Sequence, residues 1–117
     1  MTDGDAAAFQ PLKPNVFEIL LALEGGDLHG YGILKVTEER GVPVAASLLY
    51  RKLKRLMESG LVEESPREPT AEEDSRRRYY RLTALGLEVV RAEARRIVEL
   101  AESGAVRRLA KAGGRSV

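Results

Sequence analysis

Between Leu61 and Leu82 the chain reads LVEESPREPTAEEDSRRRYYRL, and this stretch narrows the fold more than any other. LVEES is rich in Leu and Val, and RRRYYRL places aromatic and branched side chains at a strand-like period of two, so both ends favour extended backbone. Pro66 and Pro69 bar the first run from continuing as a central strand. The polar, acidic PREPTAEED between the runs then becomes the long tip of a β-hairpin.

Everything outside the hairpin carries helical spacing. Asn15, following Pro14, can cap a first helix whose apolar stripe is Val16, Ile19, Leu20 and Leu23, with Gly25-Gly26 ending it. A second helix is expected from about Gly30 to Arg40, containing Tyr31 and Leu34 and closed by Gly41, after which Pro43 interrupts. From Ala45 to Ser59 a third helix places Leu49, Leu53, Leu56 and Met57 at helical intervals, and Gly60 stops it. Thr83 can cap the last helix, which carries Leu85, Val89, Val90, Ala94, Ile97, Val98 and Ala101 and reaches Ala110 unless Ser103-Gly104 breaks it.

The expected fold is therefore mostly α with a small antiparallel β-hairpin wing. Helix, helix, helix, strand, wing, strand, helix is the order of a winged helix-turn-helix domain. The expected boundaries are a flexible leader over 1–13, the winged domain over 14–82, a C-terminal dimerisation helix over 83–110 and a disordered tail over 111–117. A chain of 117 residues with 44% hydrophobic content holds one such core and not two.

Composition excludes several function classes. With no cysteine there is no disulfide, thiolate metal site or nucleophilic thiol. The single His29, the missing HExxH and the missing Gly-rich phosphate loop argue against an enzyme, and no cofactor is expected. Beside Gly30 at a helix start, His29 reads as a packing or capping residue. No apolar run approaches the ~18 residues of a membrane span, and the N-terminal MTDGDAAAFQ is acidic where a secretory signal is basic, so a soluble cytoplasmic protein is expected.

Net charge is only +1, yet the 32% of residues that are charged are unevenly placed. Arg51, Lys52, Lys54 and Arg55 crowd the third helix and Arg76, Arg77 and Arg78 the wing, a pattern suited to a localised polyanion. With Leu49, Leu53 and Leu56 inward, Ser47, Arg51, Lys54 and Glu58 point away, Tyr50 and Arg55 flank them, and Lys52 sits nearer the core edge. Ser47, Tyr50, Arg51 and Lys54 are the candidates to approach base edges. Arg grips guanine bidentately while Lys more often contacts phosphate, so Arg51 is the expected base reader, and the acidic Glu58 is not expected to approach phosphate. On the wing, Tyr80 and Leu82 are expected to pack inward while Arg76 to Arg78 reach the backbone or a narrow minor groove. The acids Glu72, Glu73 and Asp74 either bend away from phosphate or pair with those arginines.

Three stretches resemble the PadR family of bacterial winged-helix regulators: FEILLALEGGDLHGYGILKVTEERG from Phe17, LYRKLKRLMESGLVEE from Leu49 and DSRRRYYRLTALGLEVVRAEA from Asp74. HGY, LYRxLKRL and RRxYYRLTxxG in this order are far more specific together than singly. The resemblance implies a homodimeric transcription factor, usually a repressor, on a roughly palindromic operator. It implies DNA-facing roles for Tyr31, Tyr50, Arg51, Lys54 and Arg76 to Arg78. One helix after the wing is similar to the short subfamily, in which that helix dimerises. Small-molecule inducers belong to the same resemblance, but no residue here marks a pocket for one. The chain departs from the family at AASLLY, where Leu48 replaces the usual hydroxyl residue before Leu-Tyr, with Ser47 one position earlier.

Independently, a helix of about 25 residues extends about 38 Å and cannot bury its stripe on so small a domain. Val90, Ala94, Ile97, Val98 and Ala101 are the expected interface with a second copy. The rival reading is a winged-helix module that binds protein, with Leu48 and Tyr50 as its exposed anchor.

Overall fold

The computed structural model describes residues 6, 8–66 and 77–113. In chain order it contains α1 (Pro14–Glu24), β1 (Leu28–His29), α2 (Gly30–Glu39), α3 (Ala46–Glu58), β2 (Val62–Glu64), β3 (Tyr79–Leu82), α4 (Ala84–Glu102) and α5 (Gly104–Gly113). The fold is the mostly helical winged helix-turn-helix expected, with one addition. The short β1 joins the hairpin, giving a three-stranded antiparallel sheet in the order β1-β3-β2.

Pro14 occupies the first turn of α1, where a missing N–H costs nothing, and Lys13 takes the N-cap position without a side-chain cap bond. Asn15 is thus inside the helix and is not its cap. Ile19, Leu20, Ala22 and Leu23 turn inward from α1 to pack on α2 and α4. His29 begins α2 by accepting the Gly32 N–H on Nδ1 at 2.9 Å. Ile33 and Thr37 form the buried face of α2, while Tyr31 stands outward. The Arg40 guanidinium donates to Glu18 at 2.8 Å and fastens the end of α2 to α1.

Leu49, Leu53 and Leu56 are the buried ridge of α3, at the i, i+4, i+7 spacing read from the sequence. Gly60, at φ 78, takes the left-handed turn after the helix, and the Leu61 N–H returns to the Leu56 carbonyl at 2.9 Å. The hairpin register sets Val62 opposite Leu82 and Glu64 opposite Tyr80, while Leu28 opposes Tyr80 on the other edge of β3. Tyr80 is buried as expected. Tyr79, expected on the open face with Arg77 and Arg81, is also buried, because β1 carries His29 against its ring edge at 5.2 Å.

Thr83 caps α4, its hydroxyl accepting the Gly86 N–H at 3.0 Å. Here the helix start presses on the wing base: a Cβ on Gly86 would strike the Leu61 carbonyl oxygen and lie 3.0 Å from its carbon.

Two boundaries differ from the sequence reading. Ser103 is extended at φ −61 and ψ 134, so the terminal helix breaks there and restarts as α5, with Arg107 N–H bonding the Ser103 carbonyl at 3.0 Å. A Ser-Gly pair has poor helix propensity and little side chain to hold the helix through the bend. Lys111 to Gly113 belong to α5 and not to a tail, while 114–117 lie outside the described residues. The end of the leader is also structured, with Ala6 buried and Phe9 and Leu12 packed on the core.

Val90 is corrected too. It lies 3% exposed within the chain's own core, because the first half of α4 packs on α1. Of the expected interface, Ala94 is half-buried and Ile97, Val98 and Ala101 are exposed. Leu100 adds to the exposed apolar residues of α4, and Val106 and Leu109 are exposed on α5.

Candidate nucleic-acid interface

The outward face of α3 is open. Ser47, Arg51, Lys54 and Arg55 are all exposed, and the apolar ridge behind them fixes the direction in which they project. Tyr50 stands on one flank of this face, 53% exposed, with its phenol lying over Gly30 at the start of α2.

That contact closes one side of a cleft of about 290 Å³, lined by His29, Gly30, Tyr31, Tyr50, Arg77, Arg78 and Tyr80. The cleft gathers residues from α2, α3 and the wing. Tyr31, 63% exposed, stacks on His29 with centroids 6.3 Å apart. Arg77 brings Nη1 to 3.0 Å from His29 Nε2. The two contacts belong to different tautomers of the neutral ring: Nδ1 accepts from Gly32 when the proton sits on Nε2, and Nε2 accepts from Arg77 when it sits on Nδ1.

The wing arginines are partly engaged within the hairpin. Arg78 lies 3.5 Å from Glu64 with both side chains well exposed, and Arg81 donates to Glu63 at 2.7 Å. The carboxylates come from the facing strand β2. An exposed pair of this kind contributes little and yields readily to a polyanion. Arg76, Glu72, Glu73 and Asp74 lie outside the described residues. Tyr80, at the floor of the cleft, has its phenol pKa raised, first by burial.

Gly30 has a geometric reason to be glycine. A Cβ there would overlap the Tyr50 hydroxyl and sit 2.9 Å from the ring carbon bearing it. Because the obstacle is the end of a side chain, Gly30→Ala is expected to leave stability within about 1 kcal/mol of the parent while driving the Tyr50 ring outward. Aromatic ring NMR signals of Tyr50 should shift, with little change in the core.

The sequence reading missed His29, Gly30 and Tyr80 as members of this cleft. Only the HGY motif pointed there. Leu48, by contrast, is half-buried, packs against the core and lines a separate groove with Val42, Pro43 and Val44. Residues 48 and 50 are about 160° apart around the helix, so Leu48 and Tyr50 do not form one exposed anchor for a protein partner. The N-cap of α3 is Ala45, with no side-chain cap bond, and Ser47 falls within the first turn.

Three short helices, a three-stranded sheet carrying the wing and an exposed basic face on α3 define a winged helix-turn-helix protein. Residues 19–92, well over half of the chain, match the transcriptional regulator PadR-like family, and the chain belongs to that family. It is a regulator and not an enzyme.

Among solved structures, a PadR family regulator from Clostridium difficile R20291 is 31% identical at a TM-score of 0.59, over 74% of this chain and 92% of its own. RosR of H. salinarum is 26% identical at 0.61, over 89% of this chain and 91% of its own. Bacillus subtilis PadR, solved in complex with operator DNA, shares the fold at 24% identity and 0.57, over 69% of this chain but only 46% of its own length. No curated protein matches the chain. Among the described residues, no helix is long and apolar enough to cross a membrane.

Proposed function

We propose that this chain is a transcriptional repressor that binds a roughly palindromic DNA operator as a homodimer in the cytoplasm. The observation that carries the reading is the convergence of Tyr31, Tyr50, Arg77 and Arg78 in one cleft beside the exposed Ser47, Arg51, Lys54 and Arg55 face. In this arrangement α3 enters the major groove, Arg51 reads a base edge, and the cleft and wing grip the adjoining phosphates. Arg76, next to Arg77 in sequence, extends the wing's positive charge. That B. subtilis PadR, which shares the fold, was solved in complex with operator DNA supports DNA as the partner.

Dimerisation rests on the uncovered apolar surface of Ile97, Val98, Leu100 and Ala101, with Val106 and Leu109 exposed on α5. A second copy covers it, and two-fold symmetry then spaces the recognition helices by about 34 Å or a multiple of it. Footprinting on the neighbouring intergenic DNA tests the reading. Two protected half-sites related by a dyad are expected, and protection of a single unpaired site would contradict the dimer. Arg51→Ala should reduce discrimination between operator and random duplex by about 1–3 kcal/mol, and equal weakening on both would move Arg51 to the phosphate contacts.

A further inference from the structure

The wing residues Arg77 and Arg78 share a cleft with Tyr50 on one flank of α3; the opposite flank carries a basic cluster of its own. Residues 50 and 52 are about 160° apart around α3, so Lys52 faces away from the Tyr50 cleft, and Arg55, three residues on, lies on the same side. Lys52 and Arg55 share a groove of about 200 Å³ with Lys13, and Phe9, Leu12 and Leu56 form its apolar floor.

Lys13 is held there by the ordered end of the leader. Leu12 packs on the core and donates its backbone N–H to the buried carboxylate of Glu93, while the Lys13 carbonyl accepts the Phe17 N–H at 3.0 Å to start α1. Among the described residues, Lys13, Lys52 and Arg55 have no ion-pair partner. Lys52 is half-buried, and its ammonium pKa is lowered, first by burial and then by the positive charges of Lys13, Arg55 and Arg51. Cations so crowded repel one another in the free protein, and an approaching polyanion relieves that repulsion.

A helix lying in the major groove has a phosphate strand along each flank, because the groove is only about 12 Å wide. We infer that Lys13 and Lys52, with Arg55, form a second phosphate-binding surface that holds the DNA strand on the side of α3 opposite the wing. This inference rests on the proposed DNA binding and extends its footprint to the leader and the N-terminus of α1. The contacts are to phosphodiester oxygens and carry no base preference.

The experiment measures binding of the full-length protein to its upstream fragment and to a random duplex, each across a range of salt. The Lys13→Gln/Lys52→Gln double variant should flatten the slope of log affinity against log salt by about 2 on both duplexes, about 0.9 for each lost phosphate contact. The specificity ratio should stay unchanged, and Lys13→Arg/Lys52→Arg should restore the slope. Lys13→Gln alone, at an exposed position that no core packing depends on, should flatten it by about 0.9 even if the Lys52 change disturbs the fold. Unchanged slopes in a parent protein that binds DNA would overturn the second surface alone. A parent protein that binds neither duplex would overturn the DNA reading and this inference together.

Discussion

Gly86→Ala is expected to destabilise the protein by about 3 kcal/mol or more, lowering its melting temperature by roughly 12 °C or beyond. The added methyl meets the Leu61 carbonyl oxygen and carbon, and these are backbone atoms with no rotamer through which to escape. Two bonds lock them in place: the Leu61 N–H binds the Leu56 carbonyl at 2.9 Å, and the Leu61 carbonyl accepts the Thr83 N–H at 3.0 Å. Relief therefore requires the end of α3, the start of β2 and the start of α4 to separate. Thermal denaturation followed by circular dichroism checks this. The contrast with Gly30→Ala is informative, because there the obstacle is a movable phenol and the expected cost is small.

Arg96→Ala is the second large effect, a marked loss of stability, because it leaves the buried Glu93 carboxylate without its ion-pair partner. Glu93 is 1% exposed, and Arg96 donates to its two carboxylate oxygens at 3.0 and 2.7 Å. The Arg96 hydrogen bonds hold the Glu93 pKa below its ordinary value, against the opposing effect of burial, with Leu12 N–H helping. A depressed folded-state pKa adds stability above the unfolded value, near 4.5, and that stability disappears as pH falls through the lower folded value. Stability of the parent should accordingly decline as pH drops below about 4.5, and Glu93→Gln should lack this component of the acid loss. Equal acid sensitivity in both proteins would remove Glu93 from the account. Because Glu93 also anchors Leu12, its loss should loosen the leader and with it Lys13.

The parts legible in the sequence were those with a local periodic signal. Leu49, Leu53 and Leu56 announced α3 and its outward basic face, Thr83 announced the start of α4, and the prolines announced the hairpin. What escaped had no local signal. β1 is two residues long and exists only through its pairing with Tyr79 and Tyr80, so neither it nor the burial of Tyr79 could be read from alternation. Val90 fits an apolar stripe equally well whether α1 or a second copy covers it, and only the packing of α4 on α1 decides. Lys13 stood in a polar leader beside Pro14, and nothing in the sequence connected it to Lys52 across the end of α1. The cleft was half legible: its tyrosines and arginines were named singly, while the role of Gly30 as the seat of the Tyr50 ring required three dimensions.

Titrating the protein with its own upstream fragment at a series of salt concentrations probes the proposed phosphate-gripping DNA interface of α3 and the wing. The predicted result is an affinity that falls linearly and steeply in log–log form, as several phosphates exchange protein cations for counterions. Failure to retain the fragment even at low salt would contradict it.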